Sequence, residues 1–285
     1  MTFSVQTNIP ALAVQHDNRH DLQGRELARE SLAFMIQIPE EGIGGFLYTW
    51  VNSKGLAGAA ACLFGSGVGD TPIFEICDGV PVPDSMDFND WQVEGLTLQL
   101  KQPLETVFVG FKGERVEVDY NFEGVHPAYA YSTHTNGCPK WMADDRFEQQ
   151  GKIHGTLKID GREIAYSSVG QRDHSWGTRE WGVNQHWAWL HGQAGPNTGV
   201  HFWKLFAMGK SHLCGFVYKD GKMAQIADVD MDFEHDEITL APIWLNATIT
   251  DTLGRSTDVK TRSYGVFPFP VDPMATMFET PQQMT

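Results

Sequence analysis

Leu32, Phe34, Ile36 and Ile38 fall on every second residue, with Ser31, Ala33, Met35 and Gln37 between them. A period of two gives each set its own face of an extended strand; wound at 3.6 residues per turn, the same side chains would scatter around a helix. Pro39 has no N–H to give to a ladder and ends the strand. Comparable runs recur at 46–52, 96–100, 106–112, 116–122, 151–159, 162–169, 186–191, 199–208, 213–219 and 224–233, with two more around Leu253-Gly254. Asp160-Gly161 and Asp220-Gly221 are two-residue hairpin signals, because both positions of such a turn need a left-handed backbone. Ser53-Lys54-Gly55 and Gly113-Glu114 mark further tight connections. Only 22–30 reads as a short helix. The expectation is an all-β chain of antiparallel barrels or sandwiches, closer to an up-and-down meander than to a Greek key, divided into units 1–160 and 161–285. The tail after Tyr264, with Pro268, Pro270 and Pro273, is expected to cover a surface or a partner.

The 285 residues carry 21 Lys and Arg against 36 Asp and Glu, a formal charge of −15 that repels phosphate backbones and anionic lipid. Nucleic acid is not expected as a partner; a neutral or cationic ligand is admitted more easily, although a local arginine cluster can still hold an anion. No run of eighteen apolar residues exists to span a membrane, and the first twenty residues lack a basic start followed by an apolar run. Cys62, Cys77, Cys138 and Cys214 have no metal-ligand spacing and are read as free thiols of a reducing, cytoplasmic setting. Exposed edge strands and the tail leave a homodimer open.

Chemistry concentrates in one segment. From Arg172 to Trp181 the chain places Arg172, Asp173, His174, Trp176, Arg179 and Trp181 within ten positions. Asp173 and His174 can exchange protons near neutral pH. Arg172 and Arg179 can hold a carboxylate, and indole faces stabilise a cation. The competing reading is an Arg–Asp–Arg staple joining strands, with Trp packed over it. The next strands add aromatic faces: Trp187, Trp189 and His191 on one side of 186–191, His186 on the other, then His201 and Trp203 on one side of 200–206. Such faces suit either a small-molecule pocket or an aromatic core. His174, His186, His191 and His201 form no helical H-x-x-x-H pair, H-E-x-x-H or strand-borne His-x-His, so no metal is expected. No Gly-x-Ser-x-Gly occurs, and Gly42–Gly45 and Gly65–Gly69 do not join a strand to a helix, so no nucleotide or other cofactor is expected. Residues 126–134 are read as a loop between the units, and Asp228, Asp230 and Asp232 as a solvated strand face.

The runs RDHSWGTREW (172–181), RFEQQGKIHGTLKIDG (146–161) and DWQVEGLTLQLKQPLE (90–105) resemble a bacterial group of tandem-domain proteins related to the carotenoid 1,2-hydratase (hydroxyneurosporene synthase) and AttH-like superfamily. The resemblance runs from about residue 30 to about residue 264. It implies two lipocalin-like antiparallel β-barrels or half-barrels packed side by side. It also implies cofactor-independent acid–base chemistry, such as hydration, dehydration, isomerisation or cyclisation, on an apolar substrate: a terpenoid, steroid, polyketide or aromatic. Asp173 and His174 fall where that group has its acidic and imidazole residues, and Trp176 where it has an aromatic partner, although the carotenoid hydratases themselves carry a different His-Trp-Asp pattern. Asp173 then serves as acid, His174 as base or water-positioning group, and Trp176 with Trp181 as a cation wall. If an arginine pairs with Asp173, its pKa falls and it becomes a base or a scaffold instead. The alternative function is a non-catalytic lipocalin-like carrier.

Overall fold

A computed structural model describes residues 3–272 and 275–285. Its strands, in chain order, are Gln6–Thr7 (β1), Ala28–Ile38 (β2), Ile43–Asn52 (β3), Leu56–Phe64 (β4), Ile73–Pro81 (β5), Trp91–Val93 (β6), Leu96–Gln102 (β7), Thr106–Lys112 (β8), Val116–Gly124 (β9), Tyr129–Ala130 (β10) and Asp145–Ile159 (β11). They continue as Arg162–Thr178 (β12), Asn184–Gln193 (β13), Thr198–Ala207 (β14), Lys210–Lys219 (β15), Lys222–His235 (β16), Pro242–Asp251 (β17), Ser256–Ser263 (β18), Phe267–Asp272 (β19), Ala275–Glu279 (β20) and Gln282–Met284 (β21). The protein is all-β, with one nearly closed barrel-like sheet and one half-barrel sheet. Helical backbone among the described residues is confined to short 3₁₀ turns, and none of it is long and apolar enough to cross a membrane.

The first sheet has the order β5-β4-β3-β2-β12-β11-β9-β8-β7-β6, with β10 on β11. The second runs β13-β14-β15-β16-β17-β18-β21, with β1 on β16. Neighbours consecutive in sequence pair antiparallel, as the short turns require. Asp160 (φ 48°) and Gly161 (φ 85°) take the left-handed pair of angles that lets a two-residue hairpin follow the strand twist, and Asp220 and Gly221 repeat it. The β11–β12 turn at 160–161 therefore joins two strands of one sheet; the chain leaves that sheet at Thr178 and enters the second at Asn184.

Three local expectations change. Segment 22–30 is not a helix: Gln23 (φ 54°) and Gly24 (φ 67°) are left-handed, which breaks an α turn, and β2 begins at Ala28. Strand β12 continues nine residues past Val169, so the RDHSWG run is a mid-sheet strand, held by β11 on one side and β2 on the other. Residues 126–134 are not wholly loop, since Tyr129–Ala130 pairs with β11. Asp228, Asp230 and Asp232 are exposed, with Val229 buried between the first two. The tail folds back as the β19–β20 hairpin, where Phe267 and Phe269 pack on Phe64, Phe74 and Phe46; Pro273 lies outside the described residues.

The alternation of β2 divides the molecule. Leu32, Phe34 and Ile36 point into the first sheet, where they meet Trp91, Tyr120 and Leu157, all 1 % exposed or less. Burying each such side chain contributes about 1.5–3 kcal/mol, and together they fill the barrel. Ser31, Ala33 and Met35 point the other way and line a cavity. Gly58 on β4 makes room for one of its walls: a Cβ there would lie 2.1 Å from Cζ2 of Trp50 and 2.6 Å from the Cys77 carbonyl. Gly58→Ala is expected to cost about 1–3 kcal/mol, read as a lower urea midpoint at unchanged slope, with a shift in tryptophan emission as Trp50 moves.

Candidate functional site

The cavity, about 360 Å³, lies between the outer face of the first sheet and the second sheet, not inside the packed barrel. That volume is in the range of small-molecule sites. Strands β2 to β5 supply one wall, including Phe46, Tyr48, Trp50 and Phe74. The facing wall is indole: Trp181, Trp187, Trp189 and Trp203. Register explains the latter wall. Trp189 pairs with Trp203 and His191 with His201 across β13–β14, so the two aromatic faces coincide. Met277 and Glu279 of the terminal hairpin complete the lining.

Charge enters from the centre of the first sheet. Arg146 on β11 donates from Nε to Glu148 Oε1 (2.6 Å) and from Nη2 to Asp173 Oδ2 (2.8 Å), and its guanidinium lies over Trp189 at 5.5 Å. Glu148, fully buried, also accepts from Trp189 Nε1 (3.0 Å), Tyr131 Oη (3.2 Å) and Gln171 Nε2 (2.6 Å). Asp173 lines the cavity at 7 % exposure. Burial is the main force on its carboxyl; Arg146 opposes it, Glu148 adds to it, and the result is a pKa pushed up to about 7. Glu279 is also pushed up to about 7, by burial first and by Asp173 second. Arg179 bonds the Met142 carbonyl (2.5 Å) and Ser175 Oγ (2.8 Å). Burial lowers its pKa to about 10, with Arg29 and Arg146 contributing.

Strand alternation separates the motif. Asp173 and Ser175 face the cavity, while Arg172, His174 and Trp176 belong to the opposite face. There Arg172 makes a two-pronged pair with Asp17 (2.8 and 3.1 Å) and donates from Nε to Gln149 (3.0 Å). His174 Nε2 and His20 Nδ1 each lie 2.7 Å from Glu30 Oε1. Burial raises the Glu30 pKa, but the hydrogen bonds from His174 and His20 outweigh it and hold the group below the ordinary carboxylate range. Trp176 stacks on His20 at 3.9 Å, and His16 caps the group with Nδ1 at 3.0 Å from His20 Nε2. His20, Glu30 and His174 offer a cation three ligand atoms within 4.8 Å of one another, although the 2.7 Å contacts already use those lone pairs for hydrogen bonds.

The remaining candidates scatter. Trp181, Trp187, Trp189 and Trp203 share the cavity. His201 sits behind Glu148, with Nε2 2.8 Å from Tyr131 Oη, and burial holds it well below its ordinary pKa. His191, against Trp189 at 4.9 Å, is pushed down to about 3 by burial and by His201. His186 is exposed.

The sequence matches DUF7064, a domain of unknown function, over residues 13–285. The chain belongs to the DUF7064 family. Two crystal structures of CghA share its fold. CghA with Sch210972 superposes at a TM-score of 0.63 with 13 % identity, over 89 % of this chain and 81 % of that one. CghA itself superposes at 0.64 with 14 % identity and the same coverage. No curated protein matches the sequence.

In this DUF7064 chain several cavity residues escape reading by sequence. Arg146 and Glu148 alternate with Phe147 on β11, two charges on one face and an aromatic on the other, but they precede Gly151, where the sequence pattern starts the strand that the structure begins at Asp145. Arg29, Tyr48 and Trp50 come from strands 100 or more residues from the motif, and Glu279 from the terminal hairpin; only the fold brings them together.

Proposed function

We propose that this DUF7064 protein is a cofactor-independent acid–base lyase or isomerase acting on a hydrophobic small molecule held in the cavity between the two sheets. The observation that carries the reading is Asp173: a carboxyl in the wall of an indole-lined cavity, with a pKa pushed up to about 7. At neutral pH a substantial fraction holds its proton, as a general acid must.

Asp173 donates that proton to an alkene carbon or to the oxygen of a leaving hydroxyl. The carbocation that forms faces Trp187, Trp189 and Trp203, whose π clouds stabilise positive charge without adding to it. Loss of a neighbouring C–H proton to the Glu279 carboxylate completes isomerisation or dehydration; capture of water, which passes a proton back to the Asp173 carboxylate, completes hydration. Arg146 is a positioning residue: shared between Glu148 and Asp173, it orients the acid, and burial with the nearby Glu148 charge prevents it from fully ionising Asp173. The resemblance of the RDHSWG run to a bacterial group related to the carotenoid hydratases is consistent with this reaction class. The crystal structure of CghA with Sch210972 supports small-molecule occupancy of this fold.

The test is incubation with a panel of terpenoid, steroid and aryl-propanoid alkenes and alcohols in deuterated water, followed by mass spectrometry. A mass change by water, or deuterium uptake without it, is the expected result. Tight retention of panel members with no conversion would replace the enzyme by a lipocalin-like carrier.

A further inference from the structure

We propose that the molecule held in this cavity carries an anionic group of carboxylate geometry, seated between Arg29 and Arg179. The inference rests on the cavity being the binding site and names the ligand's class. The buried and half-buried arginines Arg25, Arg146, Arg172 and Arg255 are each matched with acids: Arg25 with Asp144, Arg146 with Glu148 and Asp173, Arg172 with Asp17, Arg255 with Asp251. Arg29 and Arg179, both half-buried in the cavity wall, form no ion pair with a carboxylate among the described residues.

Arg29 lies over Trp50 at 4.5 Å and Tyr48 at 5.3 Å and donates from Nη2 to Tyr48 Oη (3.1 Å). Its buried Nε–H has no partner. Arg179 reaches only neutral acceptors, the Met142 carbonyl and Ser175 Oγ foremost. Of the carboxylates lining the cavity, Asp78 accepts from the Trp50 indole N–H and the Gly79 amide, Asp173 is engaged by Arg146, and Glu279 forms no salt bridge with either arginine. Two neighbouring half-buried cations, neither paired with a carboxylate, are costly. A guanidinium fork is shaped to accept the two oxygens of a planar acid, so a bound carboxylate relieves that cost. The apolar body of the ligand then lies against Phe46, Phe74 and the indole wall. In a chain of net charge −15, this concentration of arginine is local and specific. An anion there also reduces the positive field around Asp173 and so helps it keep its proton.

Pyrenebutanoate and its methyl ester share one apolar ring system and differ in charge, and both quench tryptophan emission on binding. At low salt the acid is expected to bind roughly 10- to 100-fold more tightly than the ester, the range of a charged hydrogen-bond pair. Arg29→Gln and Arg179→Gln should each remove most of that difference, changing the affinity for the acid far more than that for the ester, while Arg29→Lys restores part of it; a thermal melt of each variant checks the fold. Equal binding of acid and ester by the parent protein overturns the anionic ligand and leaves the cavity standing. Failure of both probes to bind overturns the cavity reading and this inference with it.

Discussion

Asp173→Asn is expected to lower turnover on the responsive substrate by about 10²- to 10⁴-fold, the contribution of a positioned general acid, while the protein stays folded. Asparagine keeps the shape, and its carbonyl oxygen can still accept from Arg146, so the loss isolates the proton. The pH dependence supplies a second, independent readout. In the parent, kcat/KM should fall tenfold per unit above about pH 7, as Asp173, pushed up to about 7, gives up its proton; below pH 7 it stays level for hydration but falls for isomerisation or dehydration, as Glu279, also pushed up to about 7, takes up a proton. Stability must follow the same sign. The carboxyl ionises at 3.8 in the unfolded chain and at about 7 in the folded one, so between those values the native state binds more protons. Its stabilising effect is complete below pH 3.8 and is lost as the pH climbs through 7. Asp173→Asn removes that dependence, so the melting temperature of the variant relative to the parent should rise between pH 4 and pH 8. A variant that retains full turnover, or a parent profile without the fall above pH 7, would remove Asp173 from the chemistry.

Arg172→Met is expected to do the reverse: a large loss of stability with little change in chemistry. Arg172 is 1 % and Asp17 0 % exposed, and the pair clamps the N-terminal segment to the sheet. Asp17 Oδ2 also accepts from the Leu104 amide (2.5 Å), and Gln149, which accepts from Arg172, holds the Leu104 and His126 carbonyls. The guanidinium lies over Phe122 and Phe147, at 5.5 and 5.1 Å. Removing one member of a buried pair leaves the other charged and unmatched, a cost of about 3–5 kcal/mol, or on the order of 10 °C in melting temperature for a chain of this size. Asp17→Leu combined with Arg172→Met should recover part of the loss, because no orphan charge remains. At low temperature the folded single variant should turn over substrate within a few-fold of the parent, since this face of β12 points away from the cavity. A collapse in kcat with no change in melting temperature would place Arg172 in the chemistry instead.

The contrast between these adjacent residues measures what can be read from a sequence of this kind. Alternation in 31–38, the Asp-Gly turns and the absence of helical periodicity determined strands, antiparallel pairing and an all-β class, because those signals act between residues close in the chain. They also determined which residues share a face: Trp187, Trp189 and His191 together, His201 and Trp203 together. The composition of 172–181 singled out a segment rich in functional groups. What it left open was which way each side chain points once that segment becomes a strand, and a period of two then sends Asp173 to the cavity and His174 to the Glu30 cluster. Tertiary structure alone decided that the barrel interior is packed and that the cavity lies between the sheets. It alone brought Arg29, Arg146, Arg179 and Glu279 to the same space. The reason is physical: a strand's faces are set locally by its pleat, whereas the partner of each face, and so the dielectric and charge around every carboxyl, depends on strands contributed from the whole length of the chain.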